Sequence, residues 1–252
     1  MAVPLGDIAA FLNSYLDIDV VPDASLNGLQ VEASGQVERL AMAVDAAAET
    51  ITMAAADGCQ LMIVHHGLFW GDRAPLSGRL GARVGQCYAS GLSVYAAHLP
   101  LDLHPEVGNN VLLAEALEAQ PESRFGDHGG VKIGMLARFP DPLPLATVAG
   151  RLSAVGCDDQ MTWAFGAEEV STIAVVTGSG CSVLDEVVAL GADCFITGEP
   201  RHSAYHDARE AGLNCIFAGH YATETFGVRA VGDLVAERFA VEAGWIDHPT
   251  GV

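Results

Sequence analysis

Basic residues are scarce in this chain. Lys and Arg together number 12 against 32 Asp and Glu, Lys132 is the single lysine, and the formal net charge is −20. Nucleic acids and anionic membranes draw most of their protein affinity from Lys and Arg neutralising phosphates, and the arginines here form no cluster. No nucleic-acid partner and no membrane is therefore expected. The first fifteen residues lack a basic segment followed by an apolar one, and no apolar run approaches the roughly 20 residues that span a bilayer. A cytoplasmic protein is the expectation. The six cysteines (Cys59, Cys87, Cys157, Cys181, Cys194, Cys215) include no C-x-x-C pair. That excludes a zinc ribbon and argues against a disulfide framework, leaving buried free thiols. Charged residues are only 17% of the chain and apolar residues 50%, which describes a large core under an acidic skin and not a disordered acidic tail.

What is present reads as α/β. Leu5, Ile8, Ala9, Leu12 and Leu16 recur at helical spacing. Three short apolar runs of strand type follow, at 39–44, 60–64 and 92–97. The segments between them, Ala46–Ala56 and Leu76–Ser90, are long enough to cross a sheet and return parallel, as in βαβ units. After a helical stretch at 108–118 the texture changes: residues 119–130 are rich in Gly, Asp, Glu, Pro and Ser. This suggests a boundary, with an N-terminal α/β domain over 1–125 and a C-terminal one over 126–252. In the second half, 131–138, 170–176, 193–197 and 214–218 read as strands, and 141–155, 181–190, 202–211 and 221–240 as helices.

Three histidine neighbourhoods each follow a predicted strand. Val64-His65-His66-Gly67 ends the second apolar run. Adjacent strand residues point to opposite faces, so the two imidazoles converge only where the strand ends and the chain turns. In open α/β sheets, ligands sit at that end. Ala97-His98-Leu99-Pro100-Leu101-Asp102 offers an imidazole and a carboxylate four residues apart, although Pro100 argues against a regular helix. Nearby His104 precedes another proline and reads as solvent-facing. Gly219-His220-Tyr221-Ala222-Thr223-Glu224 places His220 and Glu224 one turn apart at a helix start, within reach of one cation. The competing explanations are a pair of surface histidines, a chance His and Asp in a loop, and a Glu that complements a helix dipole. Together the clusters hold His65, His66, His98, Asp102, His220 and Glu224, more than one zinc ion needs. Imidazole and carboxylate without thiolate is the donor set of hydrolytic dinuclear centres, whose ions lie about 3.5–4 Å apart. Glu224 is the natural bridging carboxylate.

The segments NGLQV (27–31), IVHHGLFW (63–70), AAHLPLD (96–102), ITGEPRHSAYHDARE (196–210), GHYATE (219–224) and WIDHPTGV (245–252) resemble the Nif-like dinuclear metal-centre hexameric proteins. Many members of that family carry the label GTP cyclohydrolase type 2 homologue. The resemblance runs from Leu26 to Val252. It implies two linked α/β domains with a dinuclear metal site in the cleft between them, and a toroidal homohexamer, a trimer of dimers. It also implies two divalent metal ions per subunit, held by His65, His66, Asp102, His220 and a bridging Glu224. His98 matches a family histidine closer to second shell or an occasional ligand. One departure is the family's frequent proline after the paired histidines and Thr-Asn after the next one. Gly67 and Leu99-Pro100 stand there in this chain, which predicts a less polar cleft wall.

Thr197-Gly198-Glu199, with His202 and His206-Asp207, matches a stretch that lines the family's cleft, so Glu199 or His206 is a candidate general base or proton shuttle. The alternative is a helix with solvent-facing polar residues. Gly178-Ser179-Gly180, between a strand and a helix, is a candidate phosphate-holding turn or a plain tight turn. The leading functional expectation is a metal-dependent hydrolase, of cyclohydrolase or phosphoester/amide type, acting on a small molecule. The alternative is a non-catalytic metal-binding, scaffold or regulatory interaction protein. Zn, Fe, Mn, Co and Ni all suit the donors.

Overall fold

The computed structural model describes residues 2–71 and 74–252. The chain runs β1 (Val3–Pro4), α1 (Leu5–Tyr15), β2 (Gly28–Val31), β3 (Gln36–Val37), β4 (Arg39–Asp45), α2 (Ala48–Ala56), β5 (Leu61–His66), α3 (Gly78–Ser90), β6 (Ser93–Ala96) and α4 (Leu99–Asp102). It continues through α5 (Asn109–Ala116), β7 (Gln120–His128), β8 (Val131–Pro144), α6 (Leu145–Ala154), β9 (Met161–Trp163), β10 (Glu169–Val176) and α7 (Leu184–Leu190). The last elements are β11 (Cys194–Thr197), α8 (Ala204–Ala211), β12 (Asn214–Phe217), α9 (His220–Thr223), α10 (Thr225–Phe239) and β13 (Glu242–Trp245). Two compact units result. The first holds the chain up to Leu101 together with Gly227–His248, and the second holds Asp102–Phe226 with Pro249–Val252.

Unit 1 is built on a five-stranded sheet in the order β13-β4-β5-β6-β2. Strands β4, β5 and β6 pair in parallel, as βαβ crossovers through α2 and α3 require. Their sequences are near-continuous apolar runs because helices cover both faces of a parallel sheet. Ile51, Met62, Val64, Val84, Cys87 and Leu92 share the buried cluster beside the sheet. Burying one large aliphatic chain in such a core is worth about 1.5–3 kcal/mol.

Unit 2 carries a six-stranded sheet in the order β7-β8-β10-β11-β12-β9. Here β10, β11 and β12 are parallel, while β8 and β9 flank them antiparallel. Leu152, Val170, Ile173, Ile196 and Ile216 lie in its core.

The structure differs from the sequence expectation in instructive places. Residues 120–128 form β7, which pairs with β8, so the anticipated boundary at 125/126 falls inside that strand. An outer strand tolerates Pro121, Gly126 and charges because one side is not buried. The anticipated helix 221–240 is broken at Glu224 into α9 and α10. Despite Pro100, residues 99–102 make a helical turn, since proline fits the first turn of a helix. The short strands β1, β2, β3, β9 and β13 carried no clear alternation. All six cysteines are buried free thiols. Among the described residues no helix is long and apolar enough to cross a membrane.

Candidate metal centre

Unit 1 gathers its candidates at the C-terminal ends of β4, β5 and β6. His65 and His66 are the last two residues of β5, and His98 follows β6 by two positions. Ring centroids lie 4.7 Å apart for His65 and His66, and 5.0 Å apart for His65 and His98. One ring nitrogen from each of His65, His66 and His98 falls within 4.8 Å of the other two. His65 is fully buried, and its Nδ1 sits 3.0 Å from the Ala97 carbonyl oxygen. His66 Nδ1 sits 2.9 Å from Asp45 Oδ1, and the β4–β5 register sets these two residues opposite each other. His98 Nδ1 sits 2.9 Å from Asp23 Oδ1.

Asp23 also accepts from the Ser25 and Leu99 backbone N–H groups and from the Asn27 amide. Burial alone would raise its carboxyl. The His98 hydrogen bond and charge, with the other donors, overcome that and hold it at about 2. Trp70, whose indole N–H donates to the Gly67 carbonyl, stands edge-on to His98 at 4.9 Å. Gly67 is required by packing: a β-carbon there would run into the Gln30 amide and Ala96. Gln30 in turn accepts from the Leu68 N–H.

Unit 2 repeats the plan at the ends of β10, β11 and β12. Glu199 and His220 follow β11 and β12 by two or three residues. His220 Nε2 is 3.3 Å from Glu224 Oε2, and His220 Nδ1 is 3.5 Å from Glu199 Oε2. Hydrogen bonding to Glu224 is the main reason the His220 imidazole is held up at about 9. Burial opposes the shift, and the charges of Glu224 and Glu199 add to it. Glu224 itself is almost wholly buried. Asp102, also buried, accepts from the Asn109 amide at 2.8 Å and from the Thr177 hydroxyl at 3.3 Å. Asn110 braces the same corner, donating to the Asp102 backbone carbonyl and accepting from the Thr177 N–H.

Two amides of the Gly178-Ser179-Gly180 turn are taken up inside the fold. Gly178 N–H donates to Thr223 Oγ1 and Gly180 N–H to Thr197 Oγ1. The glycine at 178 is instead a matter of room. Its φ is +64°, and a β-carbon there would collide with the Glu224 carboxylate and come within 3.2 Å of His220 Nε2.

Of the two proton-transfer candidates, Glu199 lies beside His220. His206 is exposed on α8 with its ring edge-on to Tyr205. His104 is half-buried, and its Nδ1 accepts backbone N–H groups of Glu106 and Val107, so it caps a turn where solvent exposure was expected. Asp23, Asp45, Asn109 and Asn110 were not singled out in the sequence. Asp45 had a legible signal, the C-terminal end of a strand beside the one bearing His66. Asp23 had none, because its role depends on a loop folding back over the end of β6.

The candidate donors are imidazole nitrogens in unit 1 and imidazole nitrogen with carboxylate oxygens in unit 2, and all six cysteines are buried free thiols. Such a set suits a divalent cation of borderline or hard character.

Comparison with known proteins agrees in extent as well as fold. The model of the Duf34/NIF3 (NGG1p interacting factor 3) family matches residues 3–249. A protein of Archaeoglobus fulgidus named GTP cyclohydrolase 1 type 2 homolog is 42% identical, with 98% of this chain and 99% of that protein covered. A crystal structure from Thermus thermophilus superposes with a TM-score of 0.89 at 41% identity, covering 99% of this chain and 100% of that one. The structure of protein ybgI, of unknown function, gives a TM-score of 0.92 at 31% identity, with 99% and 100% covered.

Proposed function

The chain belongs to the Duf34/NIF3 family, and from that premise we propose that it binds two divalent metal ions and acts as a metal-dependent hydrolase. The observation that carries this reading is that three parallel strands in each unit end beside candidate donors, imidazoles in unit 1 and imidazole with carboxylates in unit 2. The residues proposed to hold the ions are His65, His66, Asp102, His220 and Glu224, the last bridging.

Bound divalent cations supply Lewis acidity and a nucleophile at neutral pH. The protein's own groups do the rest. Asn109 and Thr177 aim the Asp102 carboxylate by donating to its Oδ1. Glu224 and Glu199 flank the His220 ring and fix its direction. Glu199, one-third exposed and beside His220, would accept a proton at Oε2 and return it to a leaving group. His206 stays in this proposal as a proton shuttle at the solvent side.

The relatives' name invokes GTP, but a chain at −20 repels free polyphosphates. The proposed substrate is therefore a small electrophile such as a cyclic amide or a phosphoester. A homohexamer belongs to the same proposal, and light scattering would then read six chains of 26.3 kDa, about 158 kDa.

The test is elemental analysis with a hydrolase screen. About two ions per chain are expected in the wild type, falling in Asp102→Ala and Glu224→Ala, with turnover of at least one amide or phosphoester that Glu199→Gln slows. Trace metal only would sink the proposal. Two ions without any turnover would leave the non-catalytic metal-binding alternative in its place.

A further inference from the structure

Unit 2 contains a cavity of about 170 Å³ whose wall includes none of the proposed metal ligands. It is built from the segments that follow β10 and β11, and its polar side chains are Cys181, Ser182, Asp185, Arg201, Ser203 and Asp207. Parallel strands in open α/β sheets place ligands at that end. One cation and two anions thus line the same space, yet among the described residues Arg201 forms no ion pair with Asp185 or Asp207. Ser203 begins α8 without capping it through its hydroxyl. Acids in the first turns of α7 and α8 complement the helix dipoles, which accounts for Asp185 and Asp207. It does not account for an arginine held apart from them at one cavity. We propose that this cavity binds a small zwitterion, an α-amino acid, whose carboxylate meets Arg201 and whose ammonium meets Asp185 and Asp207.

The wall selects this class by its charges. A plain anion would gain Arg201 but face two carboxylates, and a plain cation would gain the carboxylates but face the guanidinium. A metal ion would find no imidazole in the wall and a fixed positive charge beside its acids. A ligand carrying both charges satisfies all three side chains, and hydrogen bonds between charged groups are about twice as strong as neutral ones. Cys181 adds no third negative charge. It is buried, its thiol donates to the Glu199 backbone carbonyl at 3.4 Å, and burial raises the thiol so that it stays neutral. Size agrees as well. Liquid water occupies about 30 Å³ per molecule, so the space takes several waters or one ligand of amino-acid size.

The inference is independent of the metal reading, because variants of this wall leave every proposed metal ligand in place. Calorimetric titration of the full chain as purified would use L-serine, ethanolamine and 3-hydroxypropionate, which carry both charges, the ammonium alone and the carboxylate alone. Glycine and L-glutamine would bracket the size. The expected result is one L-serine bound per chain, with each single-charge analogue weaker by about 10- to 100-fold. Arg201→Gln should weaken L-serine by a similar factor and remove its advantage over ethanolamine. Asp185→Asn combined with Asp207→Asn should remove its advantage over 3-hydroxypropionate. All three side chains are exposed, so these variants should melt close to the wild type. Wild type that shows no saturable binding of L-serine, glycine or L-glutamine overturns the inference. So does L-serine bound no better than either analogue, and so does binding that the Arg201 and Asp variants leave unchanged, which would place the amino acid elsewhere. Metal content is decided separately by elemental analysis, so none of these results touches the metal reading.

Discussion

Replacing Gly178 by alanine puts the second donor set to a stringent test. The residue has a φ of +64°, where an L side chain costs about 1–2 kcal/mol. At about 2–4 °C of melting temperature per kcal/mol for a chain of this size, the backbone term alone predicts a loss of about 2–8 °C. The added methyl group also occupies the space of the Glu224 carboxylate and approaches His220 Nε2. Both side chains must move, and Glu224, almost wholly buried, has little room to do so. Metal binding should therefore suffer far more than stability. Differential scanning fluorimetry would measure the first quantity, and Co2+ titration with elemental analysis the second. The expected outcome is a folded protein, modestly less stable, that holds clearly fewer than about two ions per chain and binds them more weakly. A variant that loses stability as calculated but keeps both ions with unchanged affinity would refute the assignment of Glu224 and His220 as ligands. A variant unchanged in both respects would refute the contact itself.

Burial and charge supply two more predictions. Burial pushes the Cys59 and Cys87 thiols up to about 11, and those of Cys157 and Cys215 to about 12, so at pH 8 a thiolate forms in about one molecule in a thousand or fewer. Native protein should react with far less than one equivalent of a disulfide reagent and denatured protein with six, Cys181 being the first native site to label; rapid labelling of several thiols in the folded state would contradict the buried assignment. Asp23 is held at about 2 against an ordinary value of 3.8, so its ionised contacts contribute stability that is complete above 3.8 and is lost as pH falls through about 2. That contribution is about 2 kcal/mol. The gap in melting temperature between wild type and Asp23→Ala should accordingly be widest near neutral pH and shrink toward pH 2. A gap independent of pH would mean that the Asp23 charge contributes nothing.

Much of this protein is written along the chain. The apolar runs at 39–44, 60–64 and 92–97 announce parallel strands because a strand covered on both faces has no polar side to show. Histidines just after such runs fall at the sheet ends where α/β proteins place ligands. Composition also sets the acidic charge and the absence of any thiol pair. Other features were not legible locally. A strand with Pro121 and Gly126 reads as a linker until β8 is known to lie beside it. The sequence marked a turn at Gly178-Ser179-Gly180, yet only the fold shows the Gly178 and Gly180 amides taken by Thr223 and Thr197 and the first glycine making room for Glu224.

What the sequence determined by itself is therefore the kind of chemistry: which donors exist, that they are imidazoles and carboxylates, and that they follow strands. The tertiary structure decided how those donors are held. Asp45 reaches His66 because β4 and β5 pair in one register, and Asp23 reaches His98 across 75 residues because a loop closes over the end of β6. Hydrogen bonds of that kind join positions far apart in the chain, and only packing brings their partners within about 3 Å.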